Sequence, residues 1–325
     1  MAKLAEIGVH LDAWGMPHDT LPATTFDPQA PGRPSMPQRQ RPWWQMLDEH
    51  RAAMKGHPEV DRERVTQCAG EEGGAWLMAT VAEVGTSLSD PEFKTGLRLR
   101  LGLAVCPAGA PCQHTSRQNT ASRPCGAGLD AAGTHAQDCK VGGEVNVLHD
   151  AGCKILLHAT RAAGFAALAE QVGPELRSPQ RKEPRLDLEA WGQPSLPRLL
   201  VDFTVRDLAA TRYVAVRGEP AGTAAQGEQE KAVEYPSTGG VRVTGACMER
   251  LGRHGPGLAQ LLQTLTDLAR QRDSQRGQSS RRWLRMWRVQ LACAAVRSSH
   301  RAITTAVTNC CGRQTLRHTD EASPP

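Results

Sequence analysis

Tyrosine and phenylalanine are scarce in this sequence, with two and four residues among 325, and aromatic residues of all kinds reach only 4%. Large apolar side chains supply much of the buried area that offsets chain entropy, so a large core is excluded. A small core with long, poorly ordered flanks is expected instead. Long apolar runs are missing as well. No stretch approaches the roughly 18 apolar residues of a membrane span, so no membrane partner is expected. Residues Met1 to His10 form neither a basic n-region nor an apolar h-region, and no secretory signal is read there. There is no internal repeat. Without an export signal, the ten cysteines read as metal ligands rather than a disulfide framework, in a nuclear or cytoplasmic protein. The formal charge of +5 permits a polyanionic partner without requiring one.

What is present falls into segments. Residues 1–60 form a proline-rich arm expected to be disordered, in which Pro17, Pro22, Pro28, Pro31, Pro34, Pro37 and Pro42 lead to Trp43 and Trp44. Residues 61–103 read as helical: Gly74 to Leu77 and Phe93 to Leu103 suit short helices, the second opened by Ser89-Asp90-Pro91. Residues 104–147 are rich in Cys, Gly, Pro and Ser and lack apolar periodicity, so they fold only if stapled. Residues 148–270 carry both helix and strand patterns. An alanine-rich helical run covers Cys153 to Glu170, with Ile155, Ala159, Ala162 and Ala166 on one face. Strands are expected at Pro184–Trp191 and Leu199–Val205, separated by turn residues Gly192 to Pro197, with a third at Val241–Val243. Leu258, Leu261, Leu262, Leu265 and Leu268 mark an amphipathic helix. Residues 271–325 hold a basic aromatic helix, Arg281 to Arg288, and a tail from Cys310 expected to be disordered. That helix reads either as a phosphate-binding face or as a solvated helix packed by Trp283 and Trp287.

Cys106, Cys112, Cys125, His135 and Cys139 lie within the segment that needs a staple. The tightest unit is Cys125-x9-His135-x3-Cys139, with Gly126, Gly128 and Gly133 supplying turns. Zn²⁺ takes four tetrahedral Cys/His ligands, and the fourth is Cys112, the nearer residue, or Cys106, with His114 a weaker candidate. A structural zinc would let so apolar-poor a segment fold. The plain alternative is a loop of free thiols.

Two acids and a lysine follow. In the two expected strands Leu186 and Leu188, and Val201, Phe203 and Val205, alternate with Asp187 and Asp202. A hairpin would bring Asp187 and Asp202 together on one face, where two carboxylates bind a hard divalent cation, usually Mg²⁺. An acid in the middle of Leu200-Val201-Asp202-Phe203 is costly unless paired or ligating. Lys231 is the nearest lysine able to steady charge as a phosphate bond breaks. A further acid is expected from the preceding helix, with Glu170 and Glu175 as candidates.

These residues stand in a series. It runs from Leu97-Arg98-Leu99-Arg100-Leu101-Gly102-Leu103 through Cys112, Cys125 and Gly133-Thr134-His135-Ala136-x2-Cys139. His149-Asp150, Ala163-Gly164, Leu186-Asp187 and Val201-Asp202-Phe203-Thr204-Val205 follow, then Lys231-x3-Tyr235-Pro236 and Glu249-Arg250-Leu251-Gly252-Arg253-His254-Gly255. Over roughly residues 75–270 it resembles the C-terminal zinc-knuckle and restriction-endonuclease-like region of non-LTR retrotransposon, reverse-transcriptase-related proteins. The resemblance implies an α/β (α+β) architecture: a small zinc-stapled loop region, then a PD-(D/E)XK-type mixed sheet flanked by helices, with disordered tails. It implies metal-dependent cleavage of DNA, with RNA as a further partner. Asp187 and Asp202 would hold the Mg²⁺, Lys231 would be the catalytic lysine, and Cys125, His135 and Cys139 would bind zinc. Thr204 stands where the family's simplest motif puts lysine, so the lysine function passes to Lys231. Two other readings compete with a nuclease: a non-catalytic zinc- and nucleic-acid-binding protein, and a decayed retroelement fragment.

Overall fold

The computed structural model describes residues 59–79, 85–116, 123–172, 185–207, 210–216, 219–236, 242–273 and 280–317. Trp43, Trp44 and nearly all of the proline-rich arm lie outside them, as do Glu175 and residues 318–325. The first helix, α1, is Glu59–Cys68, followed by a 3-10 turn at Ala75–Met78. Helix α2, Asp90–Leu101, begins where the sequence signals it. The Ser89 side chain accepts the Glu92 N–H while Glu92 accepts the Ser89 N–H, which together satisfy two donors that a helix start otherwise leaves open. Gly102, in the left-handed region at φ 68°, ends it.

After a loop and the short helix α3, Thr134–Asp138, comes α4, Glu144–Ala162. Leu148, Gly152, Leu156 and Ala159 form its buried stripe. Gly152 is required there: a Cβ would stand 2.3 Å from the Phe203 ring, so only glycine lets α4 lie directly on the sheet. The helix stops well short of Glu170. Gly164 at φ 97° turns the chain, and Ala166–Val172 forms strand β1, paired antiparallel with β2. The alanine-rich composition that suggests a helix through Glu170 is overridden there by strand pairing.

Strands β2, Arg185–Gln193, and β3, Leu196–Arg206, form the expected hairpin. Helix α5, Gly222–Glu234, then crosses over to β4, Val243–Glu249, which runs parallel to β3. The sheet is thus mixed, in the order β1-β2-β3-β4. Along β3, Leu199, Val201 and Phe203 face one core, whereas Leu200 packs with Leu186 and Tyr235 on the α5 side.

Helix α6, Pro256–Asp273, buries Leu258, Leu261, Leu262, Leu265 and Leu268, the leucine stripe expected from the sequence. The last helix, α7, spans Ser280–Arg317, a rod on the order of 55 Å long. Its helical course beyond Cys310 departs from the expected disordered tail. Val289, Leu291, Ala292, Cys293, Ala294, Ala295 and Val296 are all buried, so this stretch is apolar all round and has protein on every side. It packs against α2, α3, α4, α6 and the 3-10 turn, all within a compact unit from Asp48 to Pro325. Among the described residues, no helix is long and apolar enough to cross a membrane.

Candidate functional site

The cysteine-rich loop is built as a narrow ribbon. Cys112 N–H donates to Ala127 O and Gly126 N–H to Cys112 O, at 2.8 and 2.9 Å, while Cys125 N–H reaches His114 O at 2.8 Å. These bonds set Cys112 opposite Cys125. His135 and Cys139, four residues apart around α3, complete the group. Asp130 positions that helix by accepting the N–H groups of Thr134 and His135 at 2.9 and 2.8 Å. Burial alone would raise the Asp130 carboxyl, but these backbone donors hold it below its ordinary value.

One ligand atom each from Cys112, Cys125, His135 and Cys139 lies within 4.8 Å of the other three. The Cys112 and Cys139 sulfurs are 3.9 Å apart, and Cys125 Sγ lies 3.5 Å from His135 Nε2. A tetrahedral zinc with ordinary bond lengths has S–S and S–N edges of about 3.8 and 3.5 Å, so the donor set fits Zn²⁺ in kind and spacing. Burial pushes the Cys112 thiol up to about 12, and the neighbouring Cys139 and Cys125 sulfurs add to the rise. Such crowding favours a bound cation, which would hold the sulfurs as thiolates. Cys106 and His114 are not in the group. Cys106 is buried beside Gly133, and His114 Nε2 lies 3.0 Å from Ala302 O on α7, tying the ribbon to that helix.

The acid–lysine cluster sits on the hairpin. The register that pairs Leu188 with Val201 and Glu189 with Leu200 sets Asp187 level with Asp202. Lys231 Nζ, from α5, lies 3.1 Å from Asp202 Oδ2 and 2.9 Å from Glu234 Oε2. Asp202 and Lys231 are only 4% and 8% exposed. Burial raises the Asp202 carboxyl, Lys231 opposes that rise, and the charge of Asp187 adds to it.

Asp187 and Asp202 do not share one face as expected. Asp187 Oδ2 accepts the Phe203 N–H at 2.7 Å and lies 3.4 Å from His149 Nε2 of α4, whereas Asp202 turns to α5. The cause is local. Leu186 packs on the α5 side and Leu188 on the α4 side, so the in–out alternation slips at Asp187. Glu170 also departs from expectation, since it stands in β1 rather than on a helix. It is level with Asp187, but its backbone has φ 56°, its side chain is 69% exposed, and its carboxylate pairs with Arg185.

No protein-family model matches this sequence, and no curated protein matches it.

The structure gives contacts to residues that the sequence reading assigned no role. His149 is drawn to Asp187 and to Cys153, whose Sγ lies 3.8 Å from either ring nitrogen. The hydrogen bond to Asp187, then that to Cys153, raises the imidazole to about 11. The i, i+4 spacing of His149 and Cys153 is the signal that could have paired them. Arg250 joins the zinc-type loop to the sheet: it pairs with Asp138, beside Cys139, and with Asp207 at 2.7 Å, just beyond β3. Two arginines of the basic aromatic stretch of α7 meet the segment around the 3-10 turn. Arg285 donates to Met78 O, and Arg288 lies 3.2 Å from Glu71 and 3.5 Å from Glu72.

Proposed function

We propose that this chain is a zinc-stapled, restriction-endonuclease-like domain of retroelement origin that binds DNA and hydrolyses its phosphodiester bonds. The observation that carries this reading is the hairpin register that sets Asp187 level with Asp202 while α5 lays Lys231 against Asp202. A mixed sheet flanked by helices, beside a Cys₃His group, is compatible with the PD-(D/E)XK resemblance and its zinc knuckle. The knuckle would require reduced thiols, which suits a nuclear or cytoplasmic setting.

The charge balance suits a cation. Asp187, Asp202 and Glu234 bring three carboxylates to the neighbourhood of Lys231 and His149. A hard divalent cation such as Mg²⁺ would polarise the scissile phosphate and activate water, and for Asp187 and Asp202 to hold it together one of the two carboxylates must turn from the layer it faces here. Phe203 N–H fixes the Asp187 carboxylate, and Lys231 keeps a positive charge beside Asp202 to oppose the negative charge that develops as the bond breaks.

Nicking of supercoiled DNA with Mg²⁺ or Mn²⁺ tests the reading. Asp187→Ala and Asp202→Ala are each expected to lower the rate on the order of 100-fold or more. Wild-type protein that binds DNA yet never nicks it would overturn the enzyme. That result would favour a second reading, a zinc- and nucleic-acid-binding protein without cleavage, for which the deep burial of the Asp202–Lys231 pair already speaks.

A further inference from the structure

We propose that His149, Cys153 and Asp187 form a second metal site, distinct from the Cys₃His group and suited to a borderline divalent ion such as Zn²⁺ or Co²⁺. One ligand atom from each lies within 4.8 Å of the other two. His149 Nε2 stands 3.4 Å from Asp187 Oδ2 and 3.8 Å from Cys153 Sγ, and an incoming ion would displace its present contact with Phe203 O at 3.1 Å. The N–O and S–N edges of tetrahedral zinc are about 3.4 and 3.5 Å, so a small movement of the thiol completes the fit.

The surroundings already orient these ligands. Asp187 Oδ2 is held by the Phe203 N–H at 2.7 Å. Asp150 Oδ1 faces the far ring nitrogen, Nδ1, at 3.4 Å, the carboxylate–histidine arrangement that fixes the tautomer of a metal-binding imidazole. Residues 149 and 153 sit one turn apart on α4, and Asp187 approaches from β2 at the slip in the strand alternation, so the slip supplies the third ligand.

The donor set selects the ion. A thiolate and an imidazole favour Zn²⁺ or Co²⁺, whereas Mg²⁺ prefers oxygen alone. All three side chains are half-buried, so an ion can enter, and three protein ligands leave one position open to an anionic oxygen. The Cys₃His group, by contrast, is complete with four. This inference rests on the nuclease reading only in sharing Asp187, and it would change the metal that Asp187 takes.

Metal-free full-length protein, kept reduced, is titrated with Co²⁺ and followed by its thiolate-to-cobalt absorption. Wild type is expected to take up two equivalents. Cys153→Ser and His149→Ala are each expected to take up one, while the strong absorption of the three-cysteine group persists and reports that the fold survives. A single equivalent in wild type, or two equivalents retained by both variants, overturns the second site. Mg²⁺-dependent nicking with only one cobalt bound would sink this site and spare the nuclease. Two bound cobalt ions with no nicking under any metal would do the reverse.

Discussion

His254 is buried on the β4–α6 connection, and neither of its ring nitrogens has a hydrogen-bond partner among the described residues. Burial, with the charge of Arg288 beside it, lowers its pKa from 6.5 to about 3. The native state therefore binds fewer protons than the unfolded state between these values, and stability falls as pH drops through 6.5 towards 3. Over the whole window the loss is about 5 kcal/mol, at about 1.4 kcal/mol per pH unit. Glu249 acts in the opposite sense. Its burial, opposed by Arg253, raises it from 4.5 to about 7, so it contributes less stability as pH rises across that range. The two slopes offset one another in wild type, and a variant is needed to separate them. His254→Leu removes one titration and one unpaired polar ring. Urea denaturation at about pH 6.5 and pH 5 should show the variant gaining about 2 kcal/mol on wild type over that interval. At pH 7 it should be no less stable, because a buried polar group without partners contributes nothing. A difference between the two proteins that does not change with pH would refute a buried, neutral His254.

Two further substitutions probe the packing. Gly152→Ala places a methyl against the Phe203 ring and should cost about 1–3 kcal/mol, read as a lower urea midpoint at unchanged slope. Arg250→Ala leaves Asp138 and Asp207 together without their shared cation and should cost about 3–5 kcal/mol, with zinc retention in chelator falling in parallel.

What was legible in the sequence was local. The helix start at Ser89-Asp90-Pro91, the leucine stripe of α6 and the β2–β3 hairpin each rest on residues a few positions apart, and each is found. Cys112 lies in the four-residue group, as its proximity suggested, because the ribbon needs only short-range backbone bonds to bring it opposite Cys125. The misses are tertiary. β1 is alanine-rich and takes its strand form from pairing with β2. Helix α5 hides behind Gly222 and Gly227, which weaken its helical signature. Its small side chains allow close approach to the sheet: a Cβ on Gly227 would lie 3.0 Å from Cys247 Sγ, and one on Gly245 would lie 3.0 Å from the Lys231 Cβ. The slip at Asp187 belongs to the packing of Leu186 and Leu188 into different cores, which no two-residue periodicity can announce.

The position of α7 bears on how the protein comes to be folded. Gln113 N–H donates to Ala306 O, and His114 meets Ala302 O, so the cysteine ribbon leans on this helix as α4 and α6 do. Every one of those elements precedes α7 in the sequence. On the ribosome they emerge first, at about 5–20 residues per second, and the parts of their apolar surface that lie on α7 have no cover until it arrives. The faces that α7 covers stay open until it arrives, and that interval is when chaperones and proteases have the most apolar surface to act on.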